Sequence, residues 1–114
     1  MMIEMERWEI WEANVPFEEG TGSKKRPVLY LSHDEEMYVF SLKMTSHEPR
    51  YKKMEGEYEI IRWKEAGLEK PTVVQCSKKL KLKNSDFTGK KYGRLSATDI
   101  ILLQEVLRYM GIDQ

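Results

Sequence analysis

The chain has 114 residues, enough for one hydrophobic core, with 40% apolar residues, 33% charged residues and a formal net charge of zero. Its apolar runs are only a few residues long, against the roughly 20 that a membrane-spanning helix needs. The lone cysteine, Cys76, excludes an internal disulfide or a cysteine-rich zinc cluster. With Glu4, Glu6 and Glu9 in an opening stretch that has no apolar run, a secretory leader is not expected, and residues 1–114 are predicted to form a single domain in a reducing cytoplasm.

Taken in chain order, Arg7 to Ala13 alternates large apolar and charged residues, the period of a strand with one buried and one wet face. Asn14 to Lys25 contains Pro16, Gly20, Gly22 and Ser23 and reads as a loop. Arg26 to Ser32 resumes the strand pattern, with Pro27 near its start, where a missing amide hydrogen costs least. His33 to Glu36 predicts a hairpin connection, and Met37 to Met44 a strand rich in aromatic and β-branched residues. Thr45 to Gly56 is polar and reads as a loop; Glu57 to Trp63 predicts a strand, followed by a helical turn over Lys64 to Leu68 that includes Gly67. Pro71–Cys76 and Lys79–Lys83 are two further strand candidates.

Helical spacing is confined to the tail, where Ser96 suits an N-cap, Asp99 sits in the first turn, and Ile100, Leu103, Leu107 and Met110 share a face before Gly111. Short strands with regular turns and one closing helix predict a mainly β fold: a small barrel or curled antiparallel sheet with a C-terminal α-helix.

The balanced charge is unevenly placed. Up to Gly20 the single base Arg7 faces six glutamates, whereas Ser77 to Arg94 holds Lys78, Lys79, Lys81, Lys83, Lys90, Lys91 and Arg94 against Asp86 alone. Two readings stay open: lysines that keep sheet edges from pairing with other chains, or a cationic surface for a polyanion. No glycine-rich phosphate loop, paired cysteines or His-x-x-x-His spacing is present.

Four local patterns recur in a fixed order: Lys25-Arg26-Pro27-Val28-Leu29, then Met44-Thr45-Ser46, then Gly67 to Cys76 with Lys70-Pro71-Thr72-Val73-Val74, then Gly89 to Ser96 with Gly93-Arg94-Leu95-Ser96. Their order and spacing resemble the MazF/PemK family of toxins from bacterial toxin–antitoxin pairs, over roughly residues 7 to 110. Where that family commonly opens on Gly-Asp, this chain reads Arg7-Trp8-Glu9. The resemblance implies an SH3-like barrel that forms a homodimer, cleaves single-stranded messenger RNA at short sequences, and is neutralised by a cognate antitoxin with an acidic segment. It implies Arg26 and Thr45 as catalytic residues and Ser46 beside them, and a mobile loop at Phe17 to Lys25.

No cofactor or metal is expected, because attack by a neighbouring 2′-hydroxyl would give a 2′,3′-cyclic phosphate and a 5′-hydroxyl. The protein then has to align the chain, neutralise the phosphorane and move protons. Arg26, always charged and fork-shaped, suits phosphate neutralisation, and Thr45 could hold a non-bridging oxygen. Ser46, Lys25, Lys79 and Lys81 are candidates for substrate binding. The alternative is a non-catalytic barrel of the same fold that binds nucleic acid or protein. His47 and His33 read as exposed loop residues, Cys76 as a small buried strand residue, and Trp8 and Trp11 as core.

Overall fold

The computed structural model describes residues 4–34, 38–46 and 56–112. Along them run β1 (Glu9–Pro16), β2 (Ser23–His33), β3 (Tyr38–Ser46), β4 (Glu57–Glu59), β5 (Thr72–Lys83), a 3-10 turn (Asn84–Asp86), β6 (Phe87–Arg94) and α1 (Ala97–Tyr109). The strands form one antiparallel sheet in the order β4-β5-β3-β2-β1-β6. This is the mainly β, curled sheet with a C-terminal helix that the residue pattern predicts, left open between β4 and β6.

Irregular pairing produces the curl, since extra residues in one strand sharpen its bend and twist. The β3–β5 register jumps from Leu42↔Lys79 to Lys43↔Gln75, and the β2–β3 register shifts between Tyr30 and Ser32. The first jump corrects the sequence reading. Pro71–Cys76 and Lys79–Lys83 are not two strands but one bent strand, with Cys76 to Lys78 as the bulge between them.

Other boundaries move as well. β3 runs on through Thr45 and Ser46, which the polar composition assigns to a loop, because both pair with β5; positions 47–55 of that loop lie outside the described residues. β1 extends to Pro16 and β2 starts at Ser23, so the intervening loop is short. β4 stops at Glu59 because the Ile61 and Arg62 amides turn to Asp99 instead of continuing the ladder. β6 has no counterpart among the predicted strands: its segment Thr88 to Lys91 is exposed and lacks alternation, and it is a strand because it pairs with β1.

Both faces of the sheet are buried. On one, Ile10, Leu29, Leu42, Met44 and Val74 pack with Leu103 and Leu107 of α1. On the other, Trp11, Val28, Tyr30, Val39, Leu82 and Phe87 pack where the sheet curls over. Central β2 serves both clusters, which is why Val28-Leu29-Tyr30-Leu31 is an unbroken apolar run rather than an alternating one.

The helix is capped as its sequence predicts: Ser96 Oγ accepts from the Asp99 amide at 3.2 Å. Asp99 itself is fully buried. It accepts from Tyr58 Oη at 2.5 Å, the amides of Ile61 at 2.8 Å and Arg62 at 2.9 Å, and Ser96 Oγ at 3.0 Å. Burial pushes its pKa up, but these donors outweigh that and hold it below the usual carboxylate range.

Two backbone details set the edges. Trp8 has φ of 75°, the left-handed region that an L-residue with a bulky side chain rarely enters. Its amide reaches Tyr30 O and its carbonyl receives Leu95 N, so two neighbouring segments hold it there. Gly93 on β6 and Gly67 after the helical turn meet backbone to backbone: a Cβ on Gly93 would overlap the Ala66 carbonyl, and one on Gly67 the Tyr92 carbonyl. That close approach presses the turn leading to Leu68, Glu69 and Lys70 against β6.

Candidate functional site

The β2–β3 ladder ends at Val28↔Lys43. Beyond it β2 stays with β1 as far as Ser23, while β3 stays with β5 as far as Ser46↔Thr72. The two strand ends therefore part, and a cleft of about 210 Å³ opens between them. Lys24, Lys25, Arg26 and Pro27 form one wall, and Met44, Thr45 and Thr72 another. Leu68, Glu69 and Lys70 complete it with Tyr92 of β6.

Lys25, Arg26 and Thr45, proposed from sequence, thus share one cleft. Counting two residues on from Val28↔Lys43 brings Arg26 level with Thr45. Arg26 is half-buried, and among the described residues no carboxylate pairs with its guanidinium. Four cations (Lys24, Lys25, Arg26, Lys70) face one acid, Glu69. Such a cleft attracts an anion and, in Arg26, offers it a planar fork matched to phosphate oxygens.

The other sequence candidates lie elsewhere. Ser46 ends β3 with Thr72 as its backbone partner. Lys79 and Lys81 sit on β5 away from the cleft, their ammonium groups 4.9 Å from the Phe40 ring centre and 4.4 Å from that of Tyr38. His47 lies outside the described residues. His33 ends β2, where its Nδ1 is 2.7 Å from Tyr30 Oη. Cys76, Trp8 and Trp11 are buried, as expected, and Trp63 packs half-buried against the core.

Sequence reasoning missed two parts of the site. Tyr92 belongs to the strand it did not foresee; its hydroxyl donates to Glu12 Oε2 at 3.2 Å, and Thr88 Oγ1 donates to Glu12 Oε1 at 2.9 Å. Burial first, then the Glu12 charge and hydrogen bond and the Glu69 charge, push the Tyr92 pKa up, so the phenol stays protonated. The Glu69–Lys70 wall is the other omission, although it lies within the Gly67 to Cys76 motif. Its turn is held by Thr72 Oγ1, which donates to Lys70 O at 2.9 Å.

Beside the cleft, Glu18 of the β1–β2 loop reaches Lys78 Nζ at 2.8 Å and Lys43 Nζ at 3.7 Å. Hydrogen bonding from Lys78, then the charges of both lysines, lower its pKa. The loop is thereby tied to β5 and β3, two residues along β3 from Thr45.

Residues 6–111 match the family described as PemK-like, MazF-like toxin of type II toxin-antitoxin system. Among solved structures, the Mycobacterium tuberculosis toxin MazF-mt6 superposes with a TM-score of 0.61 at 22% identity, covering 91% of this chain and 99% of that one. A search of curated proteins finds no match. Among the described residues no helix is long and apolar enough to cross a membrane.

Proposed function

Because the chain belongs to the PemK-like, MazF-like toxins of type II toxin–antitoxin systems, we propose that it is an endoribonuclease that cuts single-stranded messenger RNA in the cytoplasm without a metal ion. The observation that carries this reading is the meeting of Arg26 and Thr45 in one cationic cleft. Arg26 neutralises charge as the phosphate becomes five-coordinate, and Thr45 orients a non-bridging oxygen. Lys24, Lys25 and Lys70 hold the neighbouring phosphates, and a 2′-hydroxyl of the RNA is the nucleophile, leaving a 2′,3′-cyclic phosphate and a 5′-hydroxyl. Lys79 and Lys81 touch the backbone farther along the strand, and Ser46, next to Thr45 at the end of β3, adds a further contact. The functional unit is a homodimer, and its cognate antitoxin covers this cationic surface with an acidic segment.

The test is incubation of the purified protein with long single-stranded RNA in EDTA, beside Arg26→Ala. Discrete fragments with 5′-hydroxyl ends from wild type alone are expected. Intact RNA with both proteins, across several unrelated RNA sequences, rejects the ribonuclease reading. Sedimentation at micromolar concentration tests the dimer separately, and a monomer there rejects it.

A further inference from the structure

We propose that Tyr92 contacts the ribose of the bound RNA and, backed by Glu12, takes up the proton of the attacking 2′-hydroxyl; this rests on the ribonuclease reading above. Arginine and lysine are donors only at neutral pH. Lys24, Lys25, Arg26 and Lys70 can therefore neutralise a phosphate but cannot accept a proton. Tyr92 faces the same cleft and differs from them in chemistry. Its single hydroxyl hydrogen is committed to Glu12 Oε2, which leaves the phenolic oxygen with its lone pairs as the group it can present to substrate. Donation to a carboxylate makes that oxygen a stronger acceptor.

Glu12 is built to receive the proton in turn. It is half-buried behind Tyr92 on β1, at the residue paired with Pro27, and Thr88 Oγ1 holds its second oxygen. The tie is not needed to join β1 to β6, since Ile10↔Gly93 and Trp11↔Lys91 already pair there. Glu69 also lines the cleft, but it is exposed on a turn, and among the described residues none holds its carboxylate. Because its environment keeps the Tyr92 phenol neutral, Tyr92 passes a proton along rather than acting as a phenolate.

The step balances as follows. The bond from the 2′-oxygen to phosphorus forms as the 2′-O–H bond breaks. That proton goes to the Tyr92 oxygen, while the Tyr92 proton moves to Glu12. The bond from phosphorus to the 5′-oxygen breaks, and the leaving oxygen takes a proton from water. Glu12 afterwards returns its proton to solvent through Tyr92. In this scheme Tyr92 is the catalytic residue and Glu12 the positioning residue that acts through it.

The experiment is cleavage kinetics on single-stranded RNA with wild type, Tyr92→Phe, Glu12→Gln, the double variant and Arg26→Ala, with thermal midpoints measured alongside. Glu12→Gln keeps a hydrogen-bond acceptor for Tyr92 but cannot take its proton, so it remains informative if Tyr92→Phe folds poorly. The relay predicts a kcat loss of about 10²-fold in each single variant, with KM within about twofold. It also predicts a double variant no slower than either single one, because both act in one step. Wild-type kcat in Tyr92→Phe or in Glu12→Gln, with Arg26→Ala inactive, overturns the relay and leaves the ribonuclease reading standing. Multiplying losses in the double variant overturn it as well. Intact RNA with wild type overturns both.

Discussion

The Tyr58 hydroxyl donates to Asp99 at 2.5 Å, joining the short edge strand β4 to the first turn of the helix. Burial, and then the hydrogen bond and charge of Asp99, push the Tyr58 pKa up, so this donor does not ionise in any ordinary buffer. The same carboxylate receives the Ile61 and Arg62 amides. Asp99→Ala would leave the buried Tyr58 hydroxyl and the part-buried Ile61 and Arg62 amides with no acceptor, at roughly 1–3 kcal/mol for the buried donor and less for the two amides. The expected loss is about 3 kcal/mol or more, read from urea unfolding, with Asp99→Asn losing less. A change below about 1 kcal/mol for Asp99→Ala would contradict the role given to this residue.

Because the folded pKa of Asp99 lies below its ordinary 3.8, its contribution is fully present above that value. It fades as pH falls from about 4 through the folded pKa. Stability measured from pH 6 down to pH 2.5 should therefore drop more steeply in wild type than in Asp99→Asn, which has nothing to protonate there. Parallel curves for the two proteins would show that the tie is not electrostatic.

Trp8 occupies a left-handed conformation suited to glycine. In an ordinary strand Gly is worse than Ala, but a left-handed residue reverses that order. Both Trp8→Ala and Trp8→Gly forfeit a buried indole, at roughly 3–5 kcal/mol. Trp8→Gly should nevertheless be the more stable of the two by about 1 kcal/mol. The midpoints of two unfolding curves decide it.

Gly93→Ala adds one methyl where the Ala66 carbonyl already stands. The expected cost is about 1–3 kcal/mol from the forced backbone shift. Because that shift moves the turn carrying Glu69 and Lys70, RNA cleavage should fall even at temperatures where the variant is fully folded. Full activity in the folded variant would show that the wall tolerates displacement.

Arg26→Lys keeps a positive charge and loses the planar fork, so cleavage should fall by about 10²-fold while RNA affinity changes little. Lys79→Ala with Lys81→Ala should do the reverse: a small effect on kcat, and a slope of log affinity against log salt smaller in magnitude by roughly 0.7 for each phosphate no longer neutralised. An unchanged slope would mean that these lysines serve only to sit over Phe40 and Tyr38 and guard the strand.

What could be read in advance follows from how local each signal is. The α1 cap and apolar face are encoded within Ser96 to Met110, and the buried run Val28 to Leu31 announces a central strand by itself. Arg26 and Thr45 stand out in the sequence because each lies in a short ordered pattern, and the fold brings both to one cleft. β6 was not, because Thr88 to Lys91 is exposed and becomes a strand only through pairing with β1. The bulge that merges two apparent strands into β5 was equally hidden, since Ser77-Lys78 has the composition of a turn. Tyr92 and Glu12 are 80 positions apart, and nothing in either segment marks the other.

The pairing of β1 with β6 sets the order in which this molecule can become itself. Pairing between strands some 80 positions apart carries a large loop-closure cost and slows folding. A nascent chain that has emerged only as far as β5 already carries Arg26 and Thr45, but lacks the strand that brings Tyr92 to Glu12 and the helix that covers the sheet. The cleft that Arg26, Thr45 and Tyr92 line is therefore completed only once β6 has left the ribosome, well after the strands that carry Arg26 and Thr45.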